Sequence, residues 1–301
     1  MDNKPVVSVL VPCYNVEKKM IKFMESILHQ TYSALELVFV DDGSTDDTKD
    51  VIEAYRKPFE DRGYMVKYIY QNNGGPGSAT NTGLKMVTGD YLIWPDADDW
   101  LETDSIEIRV KFLEDHPEYA IVTSNSQLHM ANEIDEVGEC MFAPVPQYFY
   151  NENQFRLLLR YKSIFCPICH MVRMSDFLES NPAKDIFPSR GGQNFQMLLP
   201  IYYKRKRYFM NKVLCHYVVY ENSHSRQYNT YEKQKTRFDE LRKILIETLN
   251  RIEMPRIEKL GYLSLIYLDD AVKRIKMYPF WIAKRLMGEK MWEKLKALLG
   301  R

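Results

Sequence analysis

The sequence has no apolar run near the roughly 20 residues that a membrane-spanning helix needs. Its first residues, Met1-Asp2-Asn3-Lys4-Pro5, carry no apolar export segment. Net charge is missing too: 41 Lys+Arg balance 41 Asp+Glu, so the chain has no overall basic character to draw nucleic acid as a partner. Cysteines are few and odd in number. Cys13, Cys140, Cys166, Cys169 and Cys215 show no framework spacing, which argues against a disulfide-stapled fold and for a reduced, cytoplasmic setting. Cys166-Pro167-Ile168-Cys169-His170 has the C-x-x-C-H spacing of covalent haem attachment, but that chemistry accompanies export. No second Cys/His pair completes a zinc site. Two small core thiols beside a histidine is the reading that remains.

What is present is ordinary globular composition: 301 residues, 45% hydrophobic and 27% charged, enough for a large domain with an appendage. Val6 to Val11 is a β-branched apolar run that reads as a buried parallel strand and stops at Pro12-Cys13-Tyr14-Asn15. A helical pattern follows from about Glu17 to Gln30. The second strand, Leu35 to Val40, ends in Asp41-Asp42-Gly43-Ser44-Thr45-Asp46, where Ser44 and Asp46 are N-cap candidates for the next helix. The third, Met65 to Tyr70, gives way to the Gly-rich loop Gln71 to Ser78. The fourth, Tyr91 to Trp94, empties into Asp96, Asp98 and Asp99. In extended backbone, side chains two apart point the same way, so Asp96 and Asp98 are expected to share a site while Asp99 turns aside. Oxygen donors packed this closely suit a hard divalent cation, Mg²⁺ or Mn²⁺.

Strand and helix alternate four times, which predicts a mostly parallel, helix-flanked α/β sheet. Ligands of such sheets bind beyond the carboxyl ends of the strands. The clusters Tyr14-Asn15, Asp41-Asp42, Asn73 to Gly75 and Asp96 to Asp99 all fall there.

These segments together resemble a family 2 glycosyltransferase of the GT-A (Rossmann-like) fold. The resemblance rests on Val9 to Asn15, Ser26 to Thr31, Glu36 to Asp46, Asn81 to Leu84, Thr88 to Tyr91 and Asp96 to Asp99. It covers roughly residues 6 to 225. It implies that Pro12, Tyr14 and Glu17 line a nucleotide-base pocket, that Asp41 bonds the base, and that Asn73 belongs to the donor-side rim. Asp96 then sits near the ribose, sharing with Asp98 the metal that bridges a diphosphate. His224 is a candidate further ligand and Arg226 a phosphate contact. The implied activity is metal-dependent, inverting transfer from a nucleotide-sugar donor, UDP in most relatives, to a glycan or lipid-linked acceptor. Bacterial surface-polysaccharide assembly is the expected use.

Two departures stand out. Thr80 precedes Asn81 where many relatives have an arginine. Gln193-Asn194 stands where inverting relatives place Glu-Asp, and an amide is no general base. Asp185 is the nearest alternative base. Otherwise Gln193 and Asn194 only orient the acceptor, or the protein binds a nucleotide sugar without turning it over. A sugar nucleotidyltransferase is the remaining class, disfavoured because Pro12 to Glu17 contains no glycine.

The expected division is a catalytic domain over residues 1–228 and a C-terminal helical extension over 229–301. Pro255 is expected to separate two helices, the second of which ends near Tyr278 before Pro279. Residues 271–301 hold nine basic and two acidic residues with two tryptophans, a composition suited to the inner surface of an anionic bilayer. An ordinary docked helix or a dimer contact is the competing reading.

Overall fold

The computed structural model describes residues 4–220, 230–288 and 291. These form two compact units, one built from residues up to 220 together with 247–252, the other from 230–246 and the residues from 253 onward.

The first unit is an eight-stranded sheet. Its strands are β1 Val7–Cys13, β2 Leu35–Asp41, β3 Met65–Tyr70, β4 Tyr91–Ile93, β5 Trp100–Leu101, β6 Tyr119–Met130, β7 His170–Arg173 and β8 Lys206–Val219. The order is β3-β2-β1-β4-β7-β6-β8-β5. The first four pair in parallel, β7 is antiparallel to both β4 and β6, and β6 returns to parallel pairing with β8. Helices α1 Ile21–Leu28, α2 Thr48–Asp61, α3 Pro76–Leu84, α4 Ser105–Asp115, α5 Phe155–Leu159, α6 Met174–Ser180 and α7 Gln193–Tyr202 are distributed along this chain. Every residue of β2 is buried, as a parallel strand covered on both faces requires.

Two buried residues of that apolar strand are carboxylates, Asp41 at its end and Glu36 near its start. Burial alone would raise the Glu36 pKa, but bonds from Lys67, Ser8 and Thr88 outweigh it and hold the carboxyl below its usual range. Lys67 Nζ donates to Oε1 at 2.6 Å, Thr88 Oγ1 to Oε1 at 2.7 Å and the Thr88 amide to Oε2 at 2.8 Å. Asp90 accepts the Val6 amide at 2.8 Å. Gly89 is tied to Ser8 Oγ at 2.9 Å, and a Cβ there would come within 2.6 Å of the Val6 carbonyl oxygen. The Thr88-Gly89-Asp90 motif is therefore a lock at the amino ends of β1 and β4.

Ser26 and Gln30 make a second clamp. Gln30 Nε2 donates to the Glu102 carbonyl at 2.8 Å while its Oε1 accepts the Ile106 amide, and Leu101 donates to Ser26 Oγ. This fixes the chain that leaves the Asp96–Asp99 segment.

The second unit is helical. It contains α9, Arg256–Met287, and most of α8, Tyr231–Arg251. Arg242 and Arg274 share Asp239 and Asp270 in one ionic cluster. Two expected boundaries differ. The helix expected from Glu17 begins at Ile21, because residues 17–20 are drawn into a turn, with the Met20 amide on the Val16 carbonyl and the Glu17 amide on Asp46. The expected end before Pro279 is also corrected, since α9 runs through it. Proline forfeits one backbone bond, to the carbonyl four residues earlier, and Ile275 is exposed, where water can serve instead.

Candidate active site

Parallel pairing puts the carboxyl ends of β1 to β4 on one edge. Cys13 pairs with Asp41, and Asp41 with Tyr70. On β1, β4 pairs with Val7–Val9 and no further, so Trp94 and the carboxylates after it leave that pairing alongside Leu10–Cys13. The rim built there brings Pro12, Tyr14, Glu17, Asp41, Asn73, Asp96 and Asp98 to one edge of the sheet.

Its loops are laced to one another. The Asn15 amide donates to Ser44 Oγ, the Thr45 amide to Asn15 Oδ1, the Glu17 amide to Asp46 and the Asp47 amide to Glu17. Neither expected N-cap holds that place: Asp47 stands at the N-cap of α2 without a side-chain bond, Asp46 just before it accepts the Thr48 amide, and Ser44 is spent on Asn15. Asn15 adopts φ +51°, a left-handed conformation that asparagine tolerates. Asp41 is only 2% exposed; its Oδ1 accepts the Ser44 amide and its Oδ2 the Tyr68 hydroxyl, both at 2.8 Å. Each carboxylate oxygen has a second acceptor site to offer a ligand. Tyr14, by contrast, leaves its ring 51% exposed at the same rim.

The Gly-rich loop is not an open phosphate cradle. The amides of Gly74 and Gly75 donate to Asp42 at 2.9 and 2.7 Å, and Gln71 Nε2 to Asp42 at 2.6 Å. Gly77 serves a different end. A Cβ there would lie 2.8 Å from the Ser189 carbonyl oxygen, which instead accepts the Gly77 amide at 3.2 Å. Asn73 is exposed and lies with its backbone against Gly43.

Asp96 to Asp99 form a turn rather than the expected extended run, with the Asp99 amide bonded to the Asp96 carbonyl at 3.3 Å. Asp99 does turn aside, though not by alternation: it is buried, and its Oδ1 accepts the Val218 amide at 2.9 Å. Its Oδ2 is buried without a partner among the described residues. Burial and the Asp98 charge push the Asp96 pKa up to about 7. Burial also raises Asp98, which the nearby Lys19 ammonium draws partly back. Burial, Asp98 and Asp96 raise Asp99.

Three crowded carboxylates, one with an orphaned oxygen, fit a hard cation's donor chemistry. Among the described residues no three His, Cys, Asp or Glu side chains form a ready cage. His224 and Arg226 lie outside the described residues.

Across the carboxylate turn stands α7. Gly192, at φ +73°, leads into it, and Gln193 and Asn194 are its first two residues. Asn194 Oδ1 accepts Trp94 Nε1 at 3.2 Å, which ties α7 to the strand end carrying Asp96. Gln193 is half-buried. Asp185 is engaged elsewhere, its Oδ1 accepting Arg251 at 2.7 Å. Sequence reading missed Asp42, Tyr68, Trp94 and Lys19. Asp42 was signalled only as the second carboxylate of a pair, and nothing local marked the other three.

The fold is of the GT-A class. The profile described as Glycosyl transferase family 2 matches residues 8–179, more than half of the chain, which belongs to that family. Chondroitin synthase of Escherichia coli is 33% identical over 171 residues, 56% of this chain and 22% of that protein. The matched stretches cover 14% to 22% of the length of three such curated relatives. S. aureus TarS 1-349 in complex with UDP-GlcNAc superposes with a TM-score of 0.64 at 22% identity, over 87% of this chain and 72% of that one. The mannosyltransferase PcManGT from Pyrobaculum calidifontis, in complex with GDP-Man and Mn²⁺, gives a TM-score of 0.62 at 19% identity, over 99% and 80%.

Proposed function

We propose that the protein moves a sugar from a nucleoside diphosphate, UDP first among the candidates, to a hydroxyl of a growing glycan or lipid-linked saccharide, with inversion at the anomeric carbon. One observation carries the reading: the Asp41 rim and the Asp96–Asp98 turn follow β2 and β4, the parallel strands on either side of β1, at one edge of the sheet. Two neighbours of the same fold, TarS with UDP-GlcNAc and PcManGT with GDP-Man and Mn²⁺, support the donor class.

In this reading Tyr14 offers its exposed ring to the base, beside Pro12 and Glu17. Asp41 is held by Ser44 and Tyr68 to accept a base N–H. Asp96 takes the ribose, and Asp98 with Asp96 would hold Mn²⁺ or Mg²⁺. A divalent cation bound there neutralises charge gathering on the departing diphosphate. The acceptor oxygen bonds to the anomeric carbon as the bond to the diphosphate oxygen breaks, and that electron pair leaves with the nucleotide. Gln193 and Asn194 orient the acceptor; their amides take no proton. Asp185 remains the candidate carboxylate, provided that the acceptor displaces Arg251, and otherwise the proton passes to water.

A donor screen reading UDP or GDP release with Mn²⁺ and a panel of saccharide acceptors tests this. Release that depends on acceptor and metal is expected. Tight UDP binding without release across the panel would leave an idle nucleotide-sugar binder.

The membrane reading of the C-terminal region has its own support. No described helix is long and apolar enough to cross a membrane. On α9, however, Ile257, Leu260, Leu268, Val272, Ile275, Tyr278 and Ile282 are all exposed. Their spacing of three, four or eight residues puts them on one stripe, and Lys276 lies beside it. Such a stripe lies flat on a bilayer, with its basic residues toward anionic headgroups. Liposome flotation of the full chain, against a variant with Leu268, Val272 and Ile275 changed to Ser, is expected to show lost binding; equal flotation contradicts it.

A further inference from the structure

Phe165 is 44% exposed, yet it is not loose. Its ring stacks on Phe195 with centroids 5.0 Å apart and planes 25° from parallel. Tyr161 braces the other partner, meeting Phe195 edge-on at 5.1 Å, and holds a left-handed backbone at φ +59° to do so. Tyrosine rarely adopts that conformation, so the surrounding structure must fix it. Phe195 directly follows Asn194, whose side chain is bonded to Trp94 at 3.2 Å.

The platform therefore borders the carboxylate turn. Sheet order says on which side. β7, which begins at His170, flanks β4 opposite β1 and β2, so Phe165 lies across the turn from Tyr14 and Asp41. A flat aromatic face left open at that place is not explained by core packing, which would bury it.

We propose that the exposed Phe165 ring, stacked on Phe195 and braced by Tyr161, is the acceptor subsite's floor and takes the apolar face of a pyranose. A pyranose presents a face of C–H bonds that rests against the negative face of an aromatic ring. Asn194 and Gln193, at the start of the same helix, then hydrogen-bond its hydroxyls. This deepens the transferase reading and rests on it for the identity of the ligand as acceptor.

The test is saturation-transfer NMR on the full chain with UDP present, using methyl pyranosides of glucose, galactose, N-acetylglucosamine and glucuronic acid. Ring-proton saturation from at least one glycoside is expected. Phe165→Ala should weaken that binding by roughly fivefold, in line with the loss of one aromatic contact. Phe165→Trp should retain it, and the circular dichroism and thermal midpoint of each variant report folding. Unchanged binding in a folded Phe165→Ala, or no binding by any glycoside in the wild type, overturns the platform. Donor cleavage is scored separately. Cleavage by a wild type that binds no glycoside would sink the platform alone. Glycoside binding lost in Phe165→Ala, without cleavage of any donor, would sink the transferase reading and leave the platform standing.

Discussion

The two sides of the carboxylate turn are built to different standards. On the β1–β3 side Asn15, Glu17, Ser44, Asp46 and Asp47 tie one loop to the next, and Asp42 collects three donors from the Gly-rich loop. On the α7 side Asn194 has one bond to Trp94, Gln193 is half-buried, and an aromatic face stands open at Phe165. A nucleotide diphosphate is the same molecule for many transferases, so its half can be rigid and shared. In the proposed reading the acceptor meets the side that is tied less closely.

If that contrast holds, damage to the two sides should differ in kind and size. The largest effect is expected at Asp98: alanine should lower acceptor-dependent nucleotide release at least about a hundredfold, with an unchanged thermal midpoint. Next is Asp42→Ala, which leaves two amides and the Gln71 side chain without their acceptor. It should cost about 3 kcal/mol in urea unfolding, a structural loss from a residue that touches no proposed ligand. Smaller is Gln193→Ala, expected to raise the acceptor KM by less than about tenfold, because an orienting hydrogen bond to a neutral group is worth about 1 kcal/mol. Smallest is Asp185→Asn, which breaks a partly exposed pair with Arg251 worth at most about 1 kcal/mol; a collapse of kcat there would instead make Asp185 the base.

Glu36 separates fold from site by pH. Its carboxyl is held below the usual range by Lys67, Ser8 and Thr88 against the opposing effect of burial. A depressed carboxylate contributes stability that is complete above its unfolded value of about 4.3 and lost as pH falls through the folded value. Urea midpoints measured from pH 6 to pH 3 should therefore fall less steeply in Glu36→Gln than in the wild type.

The rim at the ends of β1 to β4 was legible because parallel strands announce themselves as apolar runs, and the residues that end them are polar by necessity. Pro12, Tyr14, Asp41 and Asp96 could be placed on one edge from that alone. Several motif residues turned out to hold the fold rather than a ligand. Ser26 and Gln30 clamp the chain after the turn, and Thr88 and Gly89 lock the strand start. The Asp96–Asp99 turn was misread as extended because three closely spaced carboxylates fit either conformation. Phe165, Tyr161 and Phe195 were illegible for another reason: their meeting joins residues 30 apart through tertiary packing, and no local period marks an aromatic that stays exposed.

Isothermal calorimetry of UDP binding, with and without Mn²⁺, on the wild type and Asp98→Asn reaches the central claim most directly. Binding that Mn²⁺ strengthens at least about tenfold in the wild type, and leaves unchanged in Asp98→Asn, is the expected result. Equal Mn²⁺ dependence in both proteins, or no UDP binding by either, contradicts the account.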